Sequence, residues 1–419
     1  MEHGTKKSWR DSQWTVCFCC FMLIFTGLGF CSSPKSFFMD VVPDALGVGR
    51  SQFALNDTAR YIVTATVSLY FGRLVTWLRP KKMTAIGSCL MVFSQLIYAT
   101  ADNVVMFCMG GALLGGGLSL LGNSMASYII KRRCPKNTGT ILGFVMAANG
   151  LGGAIAVQMV SHFIEQSPTG YKNAYLAVAC VLAAVGLMVT LIYKEDDSIP
   201  AAPPASKKAR GQNWSGMSYA HGKKQGYFYM VCLLIFLTGF VLSGVNGIAK
   251  AHWRDMGIQN VADIWSLHSL ALMGGKFISG FVYDRKGLRF TLALGHLAAI
   301  TVMLALALSA NTPFGITMAW VYSIGSAAAL PLETICVSLV AGDLFGNKEF
   351  SRFLGVLTAL CSLGFATGSP VINLVYDLAG SYLPAILVSA GMMVFVLVTF
   401  QLSITAARKD RDAILAQEK

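Results

Sequence analysis

Residues 194–225 read KEDDSIPAAPPASKKARGQNWSGMSYAHGKKQ. This stretch is polar, rich in Pro, Ser and Lys, and too poor in apolar residues to pack a core. It is expected to be a flexible cytoplasmic linker. On either side the character inverts. The chain of 419 residues is 55% hydrophobic and only 13% charged, against about 25% charged residues in a soluble domain, so it is an integral membrane protein. Its 42 glycines and apolar runs of helical length favour an all-α membrane bundle over a barrel, whose strands alternate in polarity. Runs of about the 20 residues needed to cross a bilayer fall at 14–38, 55–78, 83–101, 103–130, 138–164, 174–193, 226–249, 262–283, 290–309, 313–343, 351–378 and 382–405. The expected organisation is a six-helix bundle at 1–193, the linker at 194–225, a second six-helix bundle at 226–405 and a cytoplasmic tail at 406–419.

The net charge of +13 is explained by topology and not by nucleic acid. With the N-terminus inside, most of the 33 Lys and Arg lie on cytoplasmic segments or span ends, among them Lys6, Lys81, Lys131, Arg132, Lys207, Lys286 and Arg408. The outer 3–4, 9–10 and 11–12 loops hold none. This positive-inside bias predicts a multi-pass protein of the plasma membrane, a bacterial inner membrane being expected, with both termini cytoplasmic. The run from Trp14 is long and is followed directly by further spans, so it reads as the first span and not as a cleaved leader. The 11 Cys are scattered through apolar spans, and Cys17-Phe18-Cys19-Cys20 reads as small apolar filler. No P-loop, no metal-ligand spacing and no nucleophile–base motif occurs, so neither ATP drive, cofactor nor enzymatic activity is expected.

The halves repeat one another. Leu23-Ile24-Phe25-Thr26-Gly27 recurs with one insertion as Leu234-Ile235-Phe236-Leu237-Thr238-Gly239. Leu142-Gly143, Ala147, Leu151-Gly152 and Ala154 recur as Leu354-Gly355, Ala359, Leu363-Gly364 and Ala366. Two parallel six-helix repeats are the architecture of a transporter whose site is expected at the midplane between halves. The glycine run 110–117 and Gly143, Gly150, Gly152 and Gly153 mark close helix contacts, where small residues let backbones approach.

Span 8 ends in Gly280-Phe281-Val282-Tyr283-Asp284-Arg285-Lys286-Gly287-Leu288-Arg289. This resembles the G-x-x-x-D-R-x-G-R signature of the major facilitator superfamily. A degraded first copy runs from Gly72-Arg73 to Arg79-Pro80-Lys81-Lys82, with no Asp before Arg79. The resemblance implies a cytoplasmic latch in which Asp284, Arg285 and Arg73 act as gating residues. Ser33-Pro34-Lys35-Ser36-Phe37-Phe38 in span 1, Tyr128 to Arg133 at the end of span 4 with Gly143, Ala148, Gly150 and Gly153 following, Leu332-Glu333-Thr334 in span 10 and Lys276 before Gly280 in span 8 resemble the monocarboxylate transporter family and its oxalate–formate antiporter relatives. That likeness implies that Lys35 and Lys276 serve a carboxylate substrate. The family cation in span 8 is usually Arg, and Lys presents a point charge in place of a planar fork. Proton-coupled relatives carry an Asp one turn earlier, where this chain has Leu272.

Depth sets the weight of each charge. Lys276 lies about 12 Å along its helix from Asp284, too deep to snorkel easily, and a cation there costs about 3 kcal/mol on insertion scales. A cation kept at such a depth suggests an anion as cargo. His268 shares a helical face with Leu272 and Lys276 and can titrate near neutral pH. His268, Glu333 and Lys276 are therefore the candidate proton-coupling groups. Tyr61, near the start of span 2, and Asn149 and Asn246, inside spans, are candidates for the substrate path.

The expected function is secondary active transport of a small organic anion, a mono- or dicarboxylate, by alternating access, as proton symporter or anion exchanger. The expected partners are that anion, protons and the lipid bilayer, with the protein a monomer. A multidrug efflux transporter of the same fold is the first alternative and a non-transporting carboxylate sensor the second.

Overall fold

A computed structural model describes residues 12–134, 137–167, 169–194, 216–259 and 261–418. Most of the expected linker, at 195–215, lies outside them. The described residues are almost wholly helical, with one isolated bridge, Gly216 to Gly346. They form two compact units, one from Met1–Val67 with Arg73–Ser206 and one from Ser68–Gly72 with Lys207–Lys419.

In the first unit the helices are α1 (Gln13–Ile24), α2 (Lys35–Leu46), α3 (Arg50–Leu69), α4 (Phe71–Thr100), α5 (Val104–Leu121), α6 (Asn123–Arg133), α7 (Thr138–Gln166) and α8 (Gly170–Ile192). In the second they are the short α9 (Tyr219–Gly222), α10 (Gly226–Asp255), α11 (Val261–Ala307), α12 (Pro313–Ala329), α13 (Ile335–Phe345), α14 (Phe350–Ala379) and α15 (Leu383–Glu418). Among the described residues ten helical runs, some of them joining neighbouring helices, are long and apolar enough to cross a membrane. One of these, Asp263–Ala307, breaks at Gly287 and supplies two crossings. The remaining crossing is α3 with the start of α4, where Asp57 and Arg60 lower the apolarity. The total is the twelve that the sequence predicts.

Local chemistry sets the helix ends. Ser12, Asn103 and Thr312 accept hydrogen bonds from the N–H groups of Trp14, Met106 and Gly315, each satisfying one of the donors that a helix start leaves open. The two signature turns share a backbone shape. Gly287 takes φ 76°, and the first copy puts Arg79 at φ 60°, so a side chain bears there the strain that glycine avoids in the second copy.

Three spans expected to be continuous are broken. Span 4 passes from α5 to α6 across Gly122, which leaves helical geometry at ψ −149°. Span 1 runs through α1, a π-helical turn at Phe25–Phe30 and a break at Pro34 before α2 resumes at Lys35. Span 10 passes from α12 through a 3-10 turn, Leu330–Glu333, into α13. Proline has no N–H to continue the ladder, and a hydropathy window averages over the interruption.

The same close contact recurs in each unit. A Cβ on Gly152 of α7 would overlap the Phe25 carbonyl oxygen, and one on Gly364 of α14 would lie 2.5 Å from that of Phe236. The repeated letters therefore mark where the first helix of each unit meets its fifth, backbone against backbone.

Candidate functional site

In the second unit α11 carries Lys276 past α12. Gly275 has its Cα against the Ala327 backbone, whose carbonyl carbon would stand 2.5 Å from an added Cβ. This approach seats Lys276 beside the 3-10 turn of span 10. Lys276 is 6% exposed. Its charge acts on Glu333 at the end of that turn, but the two make no ion-pair contact. Glu333 Oε2 is buried without a hydrogen-bond partner, while the Glu333 carbonyl accepts from Cys361 Sγ at 3.5 Å. A cation and a carboxylate thus share an apolar setting without saturating each other, where an unpaired polar group is costly.

An aromatic cluster adjoins them. His268 Nδ1 lies 2.7 Å from Ser326 Oγ. Its ring stacks on Trp265 at 4.5 Å and on Tyr322 at 6.0 Å. Trp253 meets Tyr322 edge-on at 5.5 Å, and Lys250 Nζ sits 4.4 Å over the Trp265 ring. Tyr322 feels the Glu333 charge and donates its hydroxyl to Asn246 Oδ1 at 3.4 Å. His268 and Asn246, which the sequence singled out separately, therefore meet at Tyr322, and Glu333 acts through its charge on both Tyr322 and Lys276. The aromatic members and Lys250 were not foreseen. Their spacing in α10, α11 and α12 reads equally well as core packing, and only tertiary contact distinguishes them.

In the first unit Lys35 opens α2, directly after the Pro34 break, and makes an ion pair with Asp57. Asp57 also faces Arg60 Nη2 at 3.5 Å, and the Arg60 guanidinium lies 4.5 Å over the Tyr61 ring. Asp57 was not among the expected site residues. Its partner Lys35 is far from it in the sequence, so no local pattern announces that pair. Asn149 of α7 has a buried Oδ1 without a partner.

The expected latch residues are exposed. Arg285 lies over the Phe281 ring at 4.2 Å, and Asp284 and Arg73 are on the surface of their helices. Charge contacts within the second unit at this end include Asp343, which accepts from Arg408 at 2.6 Å and also pairs with Arg411, and Asp410, which accepts from Tyr227 at 2.6 Å. Among the described residues no group of three His, Cys, Asp or Glu is placed to hold a metal ion.

The sequence profile described as Major Facilitator Superfamily matches residues 15–342. The chain belongs to the major facilitator superfamily. Among curated relatives, this facilitator is 22% identical over 400 residues to Monocarboxylate transporter 12 of Mus musculus, covering 80% of each chain. It is 18% identical to the MFS-type transporter pynF of Aspergillus niger, over 87% of this chain and 82% of that one. Among solved structures, a double-Trp mutant of XylE superposes with TM-score 0.76 at 13% identity, covering 94% and 96% of the two chains. FucP in the outward conformation does so with TM-score 0.69 at 14% identity, covering 95% and 99%. These likenesses establish the fold, and membership makes this facilitator a multi-pass transporter that works by alternating access and not an enzyme.

Proposed function

We propose that the chain carries a small organic anion of the carboxylate class, with Lys276 as its main cationic contact in the second unit and Lys35 in the first. The observation that supports this most is Lys276 itself: buried, deep in an apolar span and without an ion-pair contact. An anion bound to it replaces lost hydration with a charge-assisted contact, which removes the penalty on closing the protein around it. The likeness to a monocarboxylate transporter is consistent with this cargo. Drive comes from proton symport or anion exchange. Glu333, with one oxygen unpartnered beside Lys276, is a better proton acceptor in this reading than His268, which already holds Ser326. The protein sits in the plasma membrane as a monomer with both termini cytoplasmic.

The test is uptake of radiolabelled carboxylates into vesicles containing purified protein. Lys276→Ala should abolish the uptake that wild type shows, and unchanged transport of every carboxylate in that variant would sink the proposal. One observation favours a second reading, export of an amphipathic cation: Glu333 keeps a buried, unpartnered oxygen and its charge reaches the Tyr322 ring. In that case Glu333→Gln would remove resistance of expressing cells to lipophilic cations, and Lys276→Ala would not.

A further inference from the structure

The first unit brings two thiols together at the end that carries the basic run Lys131-Arg132-Arg133. Cys17 Sγ, about 6 Å along α1 from its start, lies 3.8 Å from the Sγ of Cys134, the residue that closes α6. The two are 117 positions apart in the chain, so the contact is made by the fold. Cys134 is fixed at both backbone groups. Its N–H donates to the Ile130 carbonyl at 2.8 Å, and its own carbonyl accepts from the Thr138 hydroxyl at 2.8 Å. At φ −127° and ψ 70° it has left the helix. All 11 cysteines are free, and among the described residues no other two sulfurs touch.

Packing accounts for Cys19 and Cys20, which are buried on α1 as small apolar groups. At Cys17 and Cys134 the contact adds a reaction, because two adjacent thiols can be joined by a two-electron oxidation. The position of such a bond gives it leverage. α1 is the part of span 1 that precedes the π-helical turn and the break at Pro34. α6 is the part of span 4 that follows the break at Gly122. The bond would therefore tie together same-end segments of two discontinuous spans. Breaks between segments are where a chain absorbs a change of backbone angle, and the far side of the break in span 1 carries Lys35.

We propose that Cys17 and Cys134 form a reversible disulfide that responds to hydroperoxides at the face taken above as cytoplasmic, locking α1 to α6 and stopping transport. Thiols at such a face stay reduced until an oxidant appears. Hydrogen peroxide is small and uncharged, which suits sulfurs only 6% and 2% exposed, and it gains entry as the last turn of α6 opens, since helix ends open first. The Cys17 sulfur attacks one peroxide oxygen and the O–O bond breaks. The other oxygen leaves with the thiol proton as water, and Cys17 becomes a sulfenic acid. The Cys134 sulfur then attacks that sulfur, the S–O bond breaks, and the hydroxyl leaves with the second thiol proton as water. Two thiols have lost two electrons and one peroxide has gained them. A dithiol reverses the step by exchange, itself becoming the disulfide.

The experiment treats the purified protein with hydrogen peroxide, blocks the remaining thiols and maps peptides by mass spectrometry. Wild type should yield a peptide linking Cys17 to Cys134, lighter than its parts by two hydrogens, which dithiothreitol separates. Hydrogen exchange at Phe25–Phe30 and around Gly122 should slow several-fold in the linked protein and recover on reduction. In vesicles, the carboxylate uptake that reduced wild type shows should be lost on oxidation and return with dithiothreitol. Cys17→Ser and Cys134→Ser, treated alike, should keep both their exchange and their uptake, which separates the bond from oxidation of methionines. Oxidised wild type without the linked peptide overturns the proposal and needs no variant to do so. A link from Cys134 to Cys20 in its place overturns the assigned pair. A linked protein with unchanged exchange and uptake overturns the lock, and so does a loss of uptake that the serine variants share. Mapping and exchange need no cargo, so they decide the proposal independently of the carboxylate reading.

Discussion

Replacing Lys276 by Met, alone and together with Glu333→Gln, tests whether the buried pair is kept for transport or for stability. Lys276 is 6% exposed, and holding its charge in an apolar span costs about 3 kcal/mol. Attraction to Glu333 offsets this in part. Two unit charges 4 Å apart gain about 4 kcal/mol at an effective dielectric of about 20, and this pair is farther apart than contact, so the gain is smaller. The terms nearly cancel, and Lys276→Met should change stability by no more than about 1 kcal/mol. The single variant leaves Glu333 buried without its nearby cation. Adding Glu333→Gln removes that remaining charge, and exchanging a buried ion pair for neutral groups is commonly neutral or stabilising by about 1–4 kcal/mol. The double variant should therefore melt at or above the wild-type temperature while both variants lose carboxylate uptake. Melting in detergent and vesicle uptake on the same preparations give the two readings. A double variant destabilised by about 3 kcal/mol or more would show that the pair is structural, and full uptake by Lys276→Met would remove the cation from the transport step.

Gly275→Val should force α11 away from α12, because its Cβ would overlap the Ala327 backbone; overpacking of this kind costs about 1–3 kcal/mol, so the melting temperature and the uptake rate should fall together, and wild-type melting would contradict the close packing. Asp343→Asn should loosen α15 by about 1 kcal/mol, a small effect because Arg408 is partly exposed at 36% and solvent screens the pair. Hydrogen exchange should then rise around Arg408 and Arg411 with uptake unaffected, and unchanged exchange would show that this contact does not hold the helix.

Hydropathy made the twelve crossings legible, since a bilayer demands long apolar runs whatever their tertiary partners. The internal repeat was legible for a related reason: Gly152 and Gly364 must be small because a backbone carbonyl occupies the space where a side chain would go, so the letters survive at the contact. Lys276 stood out because a charge in an apolar run is anomalous in the sequence itself. Asp57 did not, because α3 also carries Asn56, Arg60 and other polar residues and a charge among them is unremarkable until Lys35, on another helix, is brought to it. The aromatic cluster around His268 was hidden for the opposite reason, since apolar rings inside apolar spans carry no contrast.

The breaks in spans 1 and 10 fall where the charges are, and one physical requirement accounts for both. Interrupting a helix leaves backbone N–H and C=O groups without their usual partners, which is tolerated at membrane depth only inside protein or beside water. A charged side chain needs the same surroundings. Lys35 is the first residue of α2 after the break at Pro34, and Glu333 closes the 3-10 turn that contains Pro331. Each of these two breaks thus has a costly charged side chain beside its interrupted backbone. Discontinuous helices of this kind bring substrate and coupling ions to a transporter's midplane. Here one break presents a cation and the other a carboxylate, so the two units, alike in their packing, differ in the charge they offer. Within the second unit the carboxylate at its break and the cation on α11 act on each other through their charge, so in the proposed cycle an anion bound to Lys276 bears directly on the protonation of Glu333.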